Sequence, residues 1–164
     1  MRSLMGIALT GMLLCSLSPM ALSAGGPPSA KSAYFSARMM LGASAAKSDD
    51  DVTSRLASAG LKHVGQAWLL ASADASVQVT GDAAEHFFFV TYTPSNATST
   101  PVPNIILEHA DRVEFSGPDE TMFVFKEPPP TRVGEAPASK FEEWVYVSVA
   151  TGAWLRTTTF ISFR

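Results

Sequence analysis

The sequence contains almost no cysteine. Cys15 is the only one among 164 residues, and it lies in an apolar run near the N-terminus. A chain that loses this run has no thiol, so disulfides, thiol catalysis and cysteine-based metal sites are excluded from the remainder. A domain of roughly 140 residues can bury about two thirds of its unfolded surface by packing alone. Stability is therefore expected to come from the core.

Charged residues are also scarce, and neither sign dominates. They make up 16% of the chain, with 12 basic and 15 acidic side chains and a formal net charge of -3. This balance lacks the basic excess that is typical of nucleic-acid binding, so no nucleic-acid partner is expected. After the first two dozen residues, no apolar run is long enough to cross a bilayer as a helix. Stable membrane insertion of the remaining chain is not expected either.

Motifs of catalysis, metal binding and phosphate binding are missing. The sequence has no Gly-x-Ser-x-Gly elbow, no HExxH pattern and no phosphate-binding glycine loop. His63 and the dipeptides Glu85-His86 and Glu108-His109 offer imidazole and carboxylate groups. Adjacent strand residues point to opposite faces, however, so each dipeptide supplies only one ligand to a given site. We expect no metal site and no cofactor, and assign no catalytic residue.

The first 23 residues are typical of a secretory signal peptide. Arg2 supplies the positive start, Leu4 to Leu17 the apolar run, and Ala21-Leu22-Ser23 a small-residue cleavage pattern before Ala24. The apolar run is short for a bilayer span. We expect this segment to be removed and the remaining chain to be periplasmic or secreted.

Two regions follow the expected cleavage site. Residues 24–47 begin with a Gly-Gly-Pro-Pro run that lacks apolar periodicity, which predicts a flexible leader. Later in this region, between Ala33 and Ala46, apolar side chains at helical spacing predict a possible short helix: Phe35, Met39 and Met40. Residues 48–164 are expected to form a single β-rich domain. It opens with a helix whose first turn can be capped by the run Ser48-Asp49-Asp50-Asp51 and which ends at Gly60.

Strand-length segments fill the chain beyond Gly60, where the hydrophobic period changes from helical to alternating. The segments are Val64 to Leu70, Val77 to Thr80, Glu85 to Tyr92, Asn104 to His109 separated from or bulged into Arg112 to Phe115, Thr121 to Lys126, Glu143 to Val149 and Trp154 to Phe163. Glu85 to Tyr92 is apolar on both faces and is expected at the centre of the core. The pattern predicts an α+β fold leaning to all-β: one or two short N-terminal helices, then an antiparallel sandwich or open barrel of about seven strands.

The last hairpin carries the sharpest functional prediction. If its turn at Thr151-Gly152 has three residues, four side chains share one surface: Trp144, Tyr146, Trp154 and Arg156. A turn of two or four residues instead places Trp154 in the core beside Val145 and Val147. Aromatic side chains with an arginine are typical of surfaces that bind a glycan ring or a partner protein, although strand aromatics more often fill a core.

These observations favour a non-enzymatic binding or interaction module of the bacterial envelope or extracellular space, accessory or inhibitor-like, with a protein or glycan partner. The alternative is a small exported hydrolase that acts on an envelope polymer, with these first suspects: His86, His109, Glu108 and Asp111. A pocket that holds His109 beside an acid would favour the hydrolase, whereas a flat exposed aromatic face would favour binding.

Cleavage between Ser23 and Ala24 is directly testable. The full chain, expressed in an exporting bacterial host, should yield a product that begins at Ala24, because signal peptidases cut after small residues. Intact-mass measurement of the periplasmic and culture-medium fractions identifies the product. Ser23→Leu is the matched control and should block processing. An exported product that retains Met1 would contradict the prediction.

Overall fold

The computed structural model describes residues 29–96 and 102–164; the predicted signal peptide lies outside them. The described residues contain two N-terminal helices, a one-turn helix and eight strands. Their bounds are α1 (Ala30–Gly42), α2 (Asp49–Ala57), β1 (Lys62–Val64), β2 (Ala67–Ala71), β3 (Ala75–Asp82), β4 (Phe87–Pro94), α3 (Asn104–Leu107), β5 (Arg112–Gly117), β6 (Glu120–Lys126), β7 (Lys140–Ser148) and β8 (Trp154–Ser162).

All eight strands of the described residues form one antiparallel sheet in the order β1-β2-β3-β4-β8-β7-β6-β5. It consists of two four-stranded meanders that meet where β4 pairs with β8. The predicted fold class, α+β leaning to all-β, is confirmed, and the sheet is open rather than closed. The additional strand arises at Gly65, whose φ of 64° forms a turn that divides the expected Val64 to Leu70 strand into β1 and β2.

Helices α1 and α2 cover one face of the sheet, which we call the α1 face. Alternation along β3 is clear, because Val77 and Val79 are buried on this face while Ser76 and Gln78 are exposed. Each buried valine contributes roughly 1.5–3 kcal/mol to folding. Helix α1 contacts β2, β3, β4 and β8. The largest buried apolar side chains of this core are Leu41, Val52, Leu56, Trp68, Val77, Val79, Phe88, Val90 and Ile161.

Helix α2 forms where the sequence predicts it. The hydroxyl of Ser48 accepts a hydrogen bond from the amide of Asp51 at 3.2 Å, which satisfies an amide that has no partner inside the helix. Arg55 on the same helix donates to the carbonyl oxygens of Met40 and Ser44 at 3.1 and 2.7 Å. These bonds attach α2 to the end of α1 and fix the angle between the two helices.

Helix α1 does not bury all the apolar side chains whose spacing predicts it. Phe35 and Met39 are 47% and 56% exposed. Ala33 and Ala37 are fully buried instead. Small side chains allow the helix backbone to approach the sheet closely, and this closeness brings Tyr34 and Arg38, on the same side, into contact with strand residues.

The segment Asn104 to His109 is not the expected strand, because Asn104–Leu107 forms the one-turn helix α3. A short apolar run does not distinguish a strand from a helical turn by its period. Pro103, with a φ of -59°, precedes the turn in a conformation suited to helix entry. Its carbonyl oxygen accepts a hydrogen bond from the amide of Ile106 at 3.0 Å.

Replacement of Gly81 on β3 by any residue with a Cβ atom should destabilise the fold. Its φ is 147°, and a Cβ atom there would lie 2.7 Å from the Phe88 ring and 2.8 Å from the Phe88 Cα atom. Gly81→Ala should lower the free energy of unfolding by about 2–4 kcal/mol, measured by urea denaturation. Gly117→Ala is the matched control, because a Cβ there meets nothing within 4 Å, and should change stability by at most about 0.5 kcal/mol. Equal effects would contradict this account.

Candidate functional site

The four side chains predicted to share a surface are divided between the two faces of the sheet. Tyr146 on β7 pairs with Arg156 on β8, and the register then shifts so that Val147 lies opposite Trp154. This bulge adds one residue to β8, which reverses the face of the side chains beyond it. Trp144, Tyr146 and Arg156 therefore lie on the face opposite α1, and Trp154 lies on the α1 face. The four-residue surface predicted for a three-residue turn is not formed, and Trp154 instead shares the face of Val145 and Val147, as predicted for the alternative turn lengths.

Four aromatic side chains form a continuous strip on the opposite face. We call this the aromatic strip; its members are Phe87 and Phe89 on β4, Phe160 on β8 and Trp144 on β7. The ring centroids of Phe89 and Phe160 are 5.1 Å apart, and those of Trp144 and Phe160 are 5.3 Å apart. All four side chains are half-buried. The three phenylalanines could not be grouped from the sequence, because the β4–β8 pairing that brings them together joins distant segments.

The rings of the aromatic strip cover part of one another. Trp144 and Phe160 are diagonal neighbours on adjacent strands, and their rings stack at an interplanar angle of 19°, so each covers a face of the other. Phe87 and Phe89 meet edge to face at 73°. The indole nitrogen of Trp144 donates to Glu142 at 3.1 Å, so the surface that the four rings leave accessible is apolar.

Two arginine–glutamate pairs border the aromatic strip, and we call them the charged rim. Arg156 donates two hydrogen bonds to Glu120, at 2.8 and 2.9 Å, and its guanidinium carbon lies 3.9 Å from the Tyr146 ring centroid. Arg112 donates to both oxygens of Glu142, at 3.2 and 3.3 Å. The hydrogen bond from Arg156 lowers the pKa of Glu120. Both pairs are therefore charged at neutral pH and fixed in orientation.

On the α1 face, a pocket of about 220 Å³ opens between α1 and the strands β4, β7 and β8. We call it the α1 pocket. The rings of Trp154 and Tyr92 stack within it, with centroids 5.6 Å apart. The indole nitrogen of Trp154 donates to the Thr157 hydroxyl at 2.8 Å. The residues that line the pocket are Lys31, Tyr34, Phe35, Tyr92, Glu143, Trp154 and Thr157.

Glu143 is the acid of the α1 pocket, and its polar partners within the chain are distant. The Tyr34 hydroxyl lies 3.5 Å away and makes a shorter contact of 2.7 Å with Thr159. The Arg38 guanidinium is also 3.5 Å from Glu143, because its closer partner is Glu127. Burial raises the pKa of Glu143, although Arg38 opposes this effect. Burial likewise raises the pKa of Tyr34, which remains a neutral hydroxyl.

The four suspects of the hydrolase alternative do not converge. His86 lies in the turn before β4, whereas Glu108, His109 and Asp111 lie between α3 and β5. The Asp111 carboxylate accepts a hydrogen bond from the Lys126 amide at 2.7 Å. Four strand positions separate β4 from β5, or about 19 Å along a flat sheet. Within the described residues, no three His, Cys, Asp or Glu side chains are grouped to hold a metal ion.

Comparison with known proteins assigns neither a family nor a function to the chain. No family model, curated protein or solved structure matches the chain. Across residues 29–96 and 102–164, no helix is both long and apolar enough to cross a bilayer. The aromatic strip and the α1 pocket are therefore the features of the chain that bear on its function.

Glu143 and Glu120 should affect stability with opposite dependence on pH. A raised folded-state pKa means that wild type loses stability as the pH rises from the unfolded value, about 4.3, through the folded value. Glu143→Gln does not titrate, so its stability relative to wild type should rise across this window.

Glu120 has a lowered pKa, so the stability that it contributes is present above about pH 4.3 and is lost as the pH falls through its folded value. The deficit of Glu120→Gln should therefore shrink on acidification. Urea denaturation of both variants between about pH 3 and pH 8 measures the two slopes. Slopes of the same sign would contradict the assigned environments.

Proposed function

We propose that the protein is an exported, non-enzymatic binding module, accessory or inhibitor-like, that recognises a protein partner in the bacterial envelope or outside the cell. The observation that carries the proposal is the aromatic strip on the face opposite α1. Contiguous apolar surface on a soluble domain commonly marks an interaction site. Tryptophan, tyrosine and arginine dominate the energetics of protein interfaces, and Trp144, Tyr146 and Arg156 supply all three.

The chemistry of the opposite face favours a protein partner over a glycan. The four half-buried rings pack on one another, and the apolar surface that they leave accessible complements aliphatic and aromatic side chains of a partner. The charged rim consists of internally paired ions, so the partner need not supply a large opposite charge. Affinity should therefore come mainly from apolar burial, and association should depend only weakly on ionic strength.

Export is the second part of the proposal, and it is supported by the signal-peptide pattern of residues 1–23. A periplasmic or secreted location also places the aromatic strip where envelope or extracellular proteins can reach it. The hydrolase alternative is less well supported, because His86 lies four strand positions away from the segment that holds Glu108, His109 and Asp111.

Affinity capture with a matched pair of variants tests the proposal. The tagged protein is incubated with envelope and culture-supernatant fractions, and bound material is identified by mass spectrometry. Trp144→Ala combined with Tyr146→Ala should weaken binding of a stoichiometric protein partner at least about 30-fold. Trp154→Ala, on the other face, is the control and should retain the partner.

Urea denaturation first establishes that both variants unfold cooperatively. Retention of the partner by the double variant would contradict the assignment of the binding surface to Trp144 of the aromatic strip and its neighbour Tyr146. Capture of no stoichiometric protein from either fraction would contradict the proposed function.

A further inference from the structure

The α1 pocket is not used by the proposed function, because it lies on the other face of the sheet from the aromatic strip. Its walls are aromatic side chains from both layers of the fold: Tyr34 and Phe35 from α1, and Tyr92 and Trp154 from the strands. Glu143 supplies a carboxylate and Lys31 an ammonium group. An apolar cavity with a few convergent polar groups is the usual form of a small-molecule site.

The charges around the α1 pocket disfavour a charged ligand. Arg38 already lies against the walls, with its guanidinium carbon 5.4 Å from the Tyr34 ring centroid and 5.7 Å from that of Phe35. A cationic ligand would meet this guanidinium and Lys31 as like charges. An anionic ligand would meet Glu143, and the second acid paired with Arg38, Glu127, adds like charge nearby. The two cations and two anions balance, so the pocket best accommodates an uncharged molecule.

A purely hydrocarbon ligand is also disfavoured. Both polar contacts that Glu143 makes with Tyr34 and Arg38 measure 3.5 Å, so the carboxylate depends on further hydrogen bonds for its solvation. A hydrocarbon ligand that covered the carboxylate would remove its hydrogen bonds to water and would offer none in exchange. The ligand must therefore donate hydrogen bonds along one edge and offer an apolar face to the aromatic rings.

We propose that the α1 pocket binds a single uncharged pyranose ring. The apolar face of the sugar packs on the aromatic walls, and its hydroxyl groups donate to Glu143 and accept from Lys31. The protein would then have two independent sites on opposite faces of one sheet, one for a protein and one for a sugar.

Titration with a panel of uncharged methyl glycosides tests this site. The probes are the methyl glycosides of glucose, galactose, mannose and N-acetylglucosamine, and the readout is the indole N–H resonance of Trp154. Trp154→Phe assigns that resonance among the three tryptophans of the chain. At least one glycoside should shift it with a dissociation constant on the order of 1–10 mM, while the Trp144 indole stays unmoved.

Two variants and two charged probes complete the experiment. Tyr92→Leu and Glu143→Gln should each weaken glycoside binding at least about tenfold. Trp144→Ala, which disrupts the aromatic strip, should leave it unchanged, so failure of one site is distinguishable from failure of the other. Benzyltrimethylammonium and benzoate should bind more weakly than the best glycoside.

The proposal is overturned if no glycoside shifts the Trp154 resonance up to about 50 mM. It is also overturned if the shift persists unchanged in Tyr92→Leu, or if either charged probe binds more tightly than every glycoside. Urea denaturation of Tyr92→Leu and Glu143→Gln verifies that the variants remain folded under the titration conditions.

Discussion

The buried guanidinium of Arg38 fixes the position of helix α1 on the sheet. The residue is 8% exposed, pairs with Glu127 and Glu143, and lies 5.2 Å from the centroid of the Phe141 ring. A buried charge without partners would cost several kcal/mol, so α1 is held where both carboxylates meet the cation. This placement brings Tyr34 against Thr159 and creates the α1 pocket between the helix and the strands. The aromatic walls and the burial that raises the pKa of Glu143, against the opposing effect of Arg38, both follow from the position of α1.

The two candidate surfaces use the same strands but different side chains. On β7, Glu143 points to the α1 face and Trp144 to the opposite face; on β8, Thr159 and Phe160 divide in the same way. The strict alternation of a strand therefore allows two chemically distinct surfaces to be built back to back. A substitution on one face leaves the side chains of the other in place, and the shared backbone keeps both in a fixed relative position.

Local signals in the sequence predicted much of the fold. The Ser48 cap, the change of period after Gly60 and the turn at Thr151-Gly152 each depend on neighbouring residues, and the features they predicted are present. The functional surfaces depend instead on strand register and on the pairing of distant strands. One extra residue in β8 moved Trp154 to the α1 face, and the pairing of β4 with β8 brought distant phenylalanines together. Neither a bulge position nor a long-range strand pairing can be derived from hydrophobic period alone.

The pairing of β4 with β8 also determines when the sheet can be completed. Phe89 on β4 pairs with Phe160 on β8, and Ile161 on β8 lies beside Phe88 in the core. The N-terminal meander thus lacks its central neighbour until the final residues have been synthesised, and topologies dominated by such distant contacts fold slowly. If the chain is exported by threading through a narrow channel, as proposed, this dependence keeps the sheet from being completed until the last strand has passed through.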